Sequence, residues 1–264
     1  RCSEVPVGVA GGANFRPDLL TLISKGRASI SISRGGNLIG TLQAGYFKRA
    51  TPTPFTTESL GNYVLASMGN DPTLGVSYWH HIRDALDLLL SEAALRGHGG
   101  TVVLLPKDME PTESCYASKY KLDGTFNLQK TLRSCIENGH QIAFGIAHRK
   151  VANETIQRIS QLASVDGALI LTFEFRVVAF GATLTAPRSA ATAIIGPDGF
   201  GQGGGAPFDI NRYGTRHRSA MDFAAAIPGA IVFVISQDGP IRAFRSDDPQ
   251  IVIVWPDCTT SMFV

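Results

Sequence analysis

From Thr101 onward the chain alternates short apolar runs with segments of helical spacing, and no other feature limits its fold as much. Thr101 to Leu105, Ala168 to Leu171, Val177 to Phe180, Ala230 to Ile235, Ile241 to Phe244 and Ile251 to Trp255 read as strands. Val76, Trp79, Ile82, Leu86, Leu89, Leu90 and Ala93 recur at helical spacing, and Gly97-His98-Gly99-Gly100 stops that helix. Further helices are expected through Asn127 to Cys135 and from Asn153, a good N-cap, to Ala163. Ala220, Phe223, Ala224 and Ile227 form one face of a last helix, ended by Pro228-Gly229. Strands alternating with helices predict an α/β sheet with helices packed on it.

The first part of the chain is harder to read. Leu19 to Ile23 is an apolar element, and Ala28 to Ile32 and Leu38 to Leu42 alternate as strands do, with a turn at Ser33 to Asn37. Thr51-Pro52-Thr53-Pro54 and Gly69-Asn70-Asp71-Pro72 are breaks. Taking the second as the boundary predicts a smaller N-terminal α/β part over 1–75 and a core domain over 76–264.

Several classes are disfavoured. With 44% hydrophobic and 17% charged residues in 264, the chain can bury a core and is not disordered as a whole. A net charge of +2 does not argue for nucleic acid. The four cysteines make no CxxC pair, so zinc is not expected and reduced thiols in a cytoplasmic protein are. No apolar run approaches the roughly 20 residues that span a bilayer, and no signal-peptide pattern is seen, so no membrane partner is expected.

Gly214-Thr215-Arg216-His217-Arg218-Ser219 opens the last helix. A helix N-terminus presents free N–H groups and partial positive charge, Thr215 adds a hydroxyl, and Arg216 and Arg218 can fork onto phosphate oxygens. A solvated basic helix start fits the local pattern equally well. Asp166, in Val165-Asp166-Gly167-Ala168, stands at the entrance to an apolar strand, where a carboxylate can hold a hard divalent cation. By itself that pattern fits a turn aspartate better. Gly199-Phe200-Gly201-Gln202-Gly203-Gly204 matches GxGxxG, but Gly205-Ala206-Pro207 follows instead of a helix, so the stretch 196–213 reads as a mobile flap. No P-loop and no GxSxG occur. His80-His81 lacks a third ligand nearby, and His98 reads as a turn residue.

Asp166-Gly167-Ala168 followed by Gly214-Thr215-Arg216-His217-Arg218 resembles the two signatures of diadenylate cyclase domains, in order and in flanks. The likeness covers about 76–264, including the Tyr120-Lys121-Leu122-Asp123 region and a hairpin from Val177 to Leu184. It implies a mixed β-sheet flanked by helices, and a reaction that joins two ATP into cyclic di-AMP with release of pyrophosphate. It further implies Asp166 as the catalytic, metal-binding carboxylate, with Mg2+ or Mn2+ as cofactor. Gly167, Ala168, Leu184, Gly214, Thr215, Arg216, His217 and Arg218 would contact the nucleotide, and a homo-oligomer would bring two sites face to face. Where many members carry Ser-Glu after the late strand, this chain reads Ser236-Gln237-Asp238, which makes Gln237 and Asp238 the further metal-side candidates. The alternative expectation is a catalytically inactive sensor of ATP or a cyclic dinucleotide, with 1–75 transmitting the state.

Overall fold

The computed structural model describes residues 20–26, 29–34, 37–43, 45–49, 85–86, 88–94, 96, 98–106, 109, 115–120, 154–173, 175–197, 203–236 and 240–258. Two compact units divide between Thr51 and Pro52, at the first of the two proline- and glycine-marked breaks.

In the first unit, β1 (Leu20–Gly26), β2 (Ser29–Arg34), β3 (Asn37–Gln43) and β4 (Tyr46–Arg49) form an antiparallel meander in sequence order. The two alternating segments of the sequence are β2 and β3, paired with Ile30 opposite Leu42. Period-two alternation and the register put Leu22, Ile32 and Leu42 on one face together with Phe47.

The second unit is an α/β sandwich. Its strands are β5 (Gly100–Leu105), β6 (Tyr116–Ala117), β7 (Ala168–Thr172), β8 (Val177–Leu184), β9 (Thr192–Ile195), β10 (Ile231–Ile235), β11 (Arg242–Asp248) and β12 (Ile251–Trp255). They make one mixed sheet in the order β6-β8-β7-β5-β10-β11-β12-β9. β5 runs parallel to β7 and β12 parallel to β9, and the remaining neighbours are antiparallel.

The strands β5, β7 and β10 are buried along their whole length, which is why they read as continuous apolar runs rather than alternating ones. Alternate residues face two separate cores. On one face Val102, Leu104, Leu169, Phe233 and Trp255 pack with Leu86, Leu89 and Leu90 of helical segment α1 (85–86 and 88–94) and with Ile156 and Ile159 of α2 (154–162). On the other face Val103, Ala168, Ile170, Val232, Val234 and Phe244 pack against Ala220, Phe223 and Ala224 of α3 (Thr215–Ala226). Burying a residue such as Phe223 or Phe233 contributes about 1.5–3 kcal/mol, so the central strands hold both layers together.

The expected helix over Asn127 to Cys135, the first part of the helix from Val76 with Trp79 and His80-His81, and the Asn153 cap lie outside the described residues. Among the described residues no helix is long and apolar enough to cross a membrane.

The glycine-rich stretch is not a free flap where it is described. Gly203, Gly204 and Gly205 all take positive φ (70°, 92° and 79°), a turn that suits glycine. The chain then runs back along β9: Gly205 N–H donates to Ile195 O at 2.8 Å, Ile195 N–H to Ala206 O at 2.7 Å, and Phe208 N–H to Ala193 O at 2.8 Å. Trp255 Nε1 donates to Pro197 O at 3.1 Å and pins the start of the turn to the sheet. The segment therefore closes the β9 edge, which a bare edge strand would leave as a row of unpaired backbone groups.

Candidate functional site

The register decides which sequence candidates meet. Thr101 on β5 pairs with Ala168 on β7 and with Val234 on β10, and Val234 pairs with Arg242 on β11. The entrance to β7, the exit of β10 and the entrance to β11 therefore lie at one end of the sheet. Because α3 leads through a short turn into β10 and packs back over it, its N-terminus comes to that same end. Asp166 and Thr215 belong to one end of the sandwich although 49 positions separate them in the sequence. With neighbouring strands roughly 4.8 Å apart, β7 and β10 are about 10 Å apart across β5.

Asp166 sits in the bend between α2 and β7. Its side chain is 92% exposed, and Lys119 Nζ stands 3.9 Å from its Oδ2. An open carboxylate can serve as one oxygen ligand of a divalent cation such as Mg2+, which is commonly held by one or two carboxylates together with substrate phosphates and water. Among the described residues no three His, Cys, Asp or Glu side chains converge on a metal-sized site. Gln237 and Asp238 lie outside the described residues.

Gly167 is there for steric reasons. Its φ is +121°, and a Cβ would meet Gly181 C at 2.5 Å and Ala182 O at 2.8 Å on β8. The close approach lets Asp166 stand at the strand entrance. Ala168, the first residue of β7, is buried on the α3 face. Leu184 ends β8 at the same end of the sheet, paired with Tyr116 and packed against the α3-side core. Tyr120 stacks on Phe180 at 5.1 Å and covers Gly181, while Lys121, Leu122 and Asp123 lie outside the described residues.

At α3 the N-cap is Gly214 (φ −72°, ψ 179°), no side chain among the described residues caps the helix, and no acidic residue stands in its first turn. A helix of twelve residues with an uncapped, carboxylate-free start presents its N–H groups and dipole to an anion. Thr215 and Arg216 are exposed. Arg218 Nη2 donates to Asn211 Oδ1 at 3.1 Å, which fixes its guanidinium beside the turn that leads into the helix. Behind the helix, Ser189 N–H donates to Asp222 Oδ1 at 2.9 Å and pins the segment after β8 to α3.

His217 differs from its neighbours. It is half-buried against Tyr213 (5.0 Å between ring centres) and Phe244 (6.2 Å). Burial, reinforced by the charges of Arg242 and Arg216, lowers its pKa to about 4. The imidazole is thus neutral at pH 7 and can offer phosphate a hydrogen bond but no charge.

Two further residues belong to this end, Arg242 and Tyr213. Arg242 Nη1 donates to His217 Nε2 at 3.2 Å and to Ser236 Oγ at 3.3 Å, and its guanidinium lies 4.7 Å over the Tyr213 ring. Neither residue stood in a recognisable motif, and the only signal was the pairing of β10 with β11.

A family model described as DisA bacterial checkpoint controller nucleotide-binding matches residues 91–248, more than half of the chain. No curated protein matches it. The matched span contains Asp166, Gly167, Ala168, Leu184, the Thr215 to Arg218 turn and Arg242, and excludes the whole β1–β4 unit.

Proposed function

Because the chain belongs to the DisA nucleotide-binding, or diadenylate cyclase, family, we propose that it condenses two ATP molecules into cyclic di-AMP and two pyrophosphates. One observation carries this reading. The strand register brings the Asp166 carboxylate and the uncapped N-terminus of α3 to the same end of the sheet.

The roles follow from the chemistry. The first-turn N–H groups of α3, the Thr215 hydroxyl and the guanidinium groups of Arg216 and Arg218 bind phosphate and spread its charge. His217 adds one neutral hydrogen bond. Asp166 orients a ribose 3′-hydroxyl and draws its proton as the oxygen attacks the α-phosphorus of the other ATP. Gly167, Ala168 and Leu184 form the floor beside it. Mg2+ or Mn2+, held by Asp166 and phosphate oxygens, would supply charge neutralisation and polarise the hydroxyl. Positioning and charge neutralisation provide most of the rate in phosphoryl transfer.

Each hydroxyl attacks the nucleotide of the opposite site, and one end of one sheet holds one ATP. Two copies must therefore face each other, and the working form is a homo-oligomer.

A second reading, nucleotide or cyclic-dinucleotide binding without turnover, is favoured by Lys119. Its ammonium stands 3.9 Å from Asp166 and competes with a cation for the carboxylate. Incubating the protein with ATP and Mg2+ or Mn2+, followed by mass spectrometry of the nucleotides, separates the two. Cyclic di-AMP supports the cyclase; intact ATP with every cation, together with measurable binding, supports the sensor.

A further inference from the structure

We propose that Arg242 is a positioning residue of the nucleotide site: it holds His217 as the Nδ1-protonated imidazole and ties the first turn of α3 to the end of the sheet. The inference rests on the nucleotide-binding reading above and adds a residue to it.

Arginine has donors and no acceptor, so in the contact with Arg242 Nη1 the His217 Nε2 must accept. In a neutral ring the single N–H is then on Nδ1. A free imidazole samples both tautomers, and an acceptor nitrogen turned toward phosphate repels it. By occupying Nε2, Arg242 leaves His217 only a donor to offer.

Arg242 is itself held from three directions. Nη1 also donates to Ser236 Oγ just past β10, and the guanidinium lies over the Tyr213 ring. Tyr213 stacks on Phe208 at 5.0 Å, and Phe244 meets Phe208 and His217 edge-on at 6.4 Å and 6.2 Å. One guanidinium thus joins the end of β10, the first turn of α3 and the loop before it. Arg242 Nε is buried and has no hydrogen-bond partner among the described residues.

The test compares isotope-labelled histidine NMR and calorimetric ATP titration with Mg2+ for the wild-type chain, Arg242→Met and Arg242→Gln. In the wild type, His217 is expected as the Nδ1–H tautomer at neutral pH. Arg242→Met should populate the Nε2–H tautomer, move the titration back toward the ordinary histidine range, and weaken ATP binding by about tenfold, the worth of one charge-assisted contact. Arg242→Gln offers an acceptor as well as a donor, so it should leave a mixture of the two tautomers and an affinity between those of the wild type and Arg242→Met. A folded Arg242→Met variant with unchanged tautomer and unchanged affinity overturns the proposal. If the wild-type chain binds no ATP, the nucleotide reading fails and takes the phosphate role of His217 with it. The tautomer comparison then still decides whether Arg242 positions His217.

Discussion

Gly167 and Gly181 pass so close that a Cβ on Gly167 would lie 2.5 Å from the Gly181 carbonyl carbon. The contact joins the entrance of β7 to the middle of β8 and sets where Asp166 stands. Gly167→Ala must therefore combine a positive-φ penalty with a backbone clash that cannot relax by rotating a side chain. We expect a loss of about 2–4 kcal/mol in urea unfolding, together with loss of nucleotide binding. An unchanged unfolding midpoint would show that the two strands separate without cost.

Gly214 caps α3 with no side chain, at φ −72°, where any residue fits, and a Cβ there meets nothing within 4 Å. Gly214→Asp should cap the helix and complement its dipole, raising stability by a few tenths to about 1 kcal/mol. The same carboxylate would occupy the N–H groups proposed to bind phosphate. ATP affinity should fall at least tenfold, by arithmetic of about 1.4 kcal/mol per decade. Thermal unfolding and calorimetry on one preparation check both halves.

Arg216 is exposed, while Arg218 is tied to Asn211 at 3.1 Å. Arg216→Ala should leave stability within about 0.5 kcal/mol of wild type. It should also weaken ATP binding and flatten its dependence on salt. A variant that binds ATP normally at low salt would remove Arg216 from the site.

His217 predicts a pH effect with a definite sign. Its imidazole titrates near 6.5 in the unfolded chain and near 4 in the folded one. Between those values the unfolded chain binds the extra proton, so stability falls as pH drops through the window and loses nothing more to this group below it. His217→Gln should flatten that part of the curve, measured as urea midpoints from pH 7 to pH 4. An equally steep curve in the variant would assign the loss to other groups.

The fold was legible where burial makes a strong pattern. Val103, Leu169 and Phe233 lie in strands enclosed on both faces, and such strands read as apolar runs. β9 was not legible. It is short and half-exposed, and its partner β12 lies about sixty residues later in a parallel pairing that no local pattern announces. The glycines at 203–205 suggested a mobile flap, because glycine runs carry no mark of the backbone bonds that hold this one to β9. At the candidate site, the helix start that Thr215, Arg216 and Arg218 open was readable from the sequence. Asp166 was ambiguous alone, since only the register of β5 against β7 and β10 brings it to their end of the sheet. Arg242 was missed because its partner His217 is 25 positions away and the link exists only once β10 and β11 are paired.

The account turns on Asp166 and the α3 N-terminus acting as one site, and Asp166→Asn tests that most directly. The side chain is 92% exposed, so the substitution should leave folding intact. Cyclic di-AMP formed from ATP with Mg2+ or Mn2+ would be followed by mass spectrometry in wild type and variant side by side. The account predicts product from the wild type and none from the variant, which keeps its circular dichroism and unfolding midpoint. Equal product from both would contradict it and place the reacting carboxylate elsewhere.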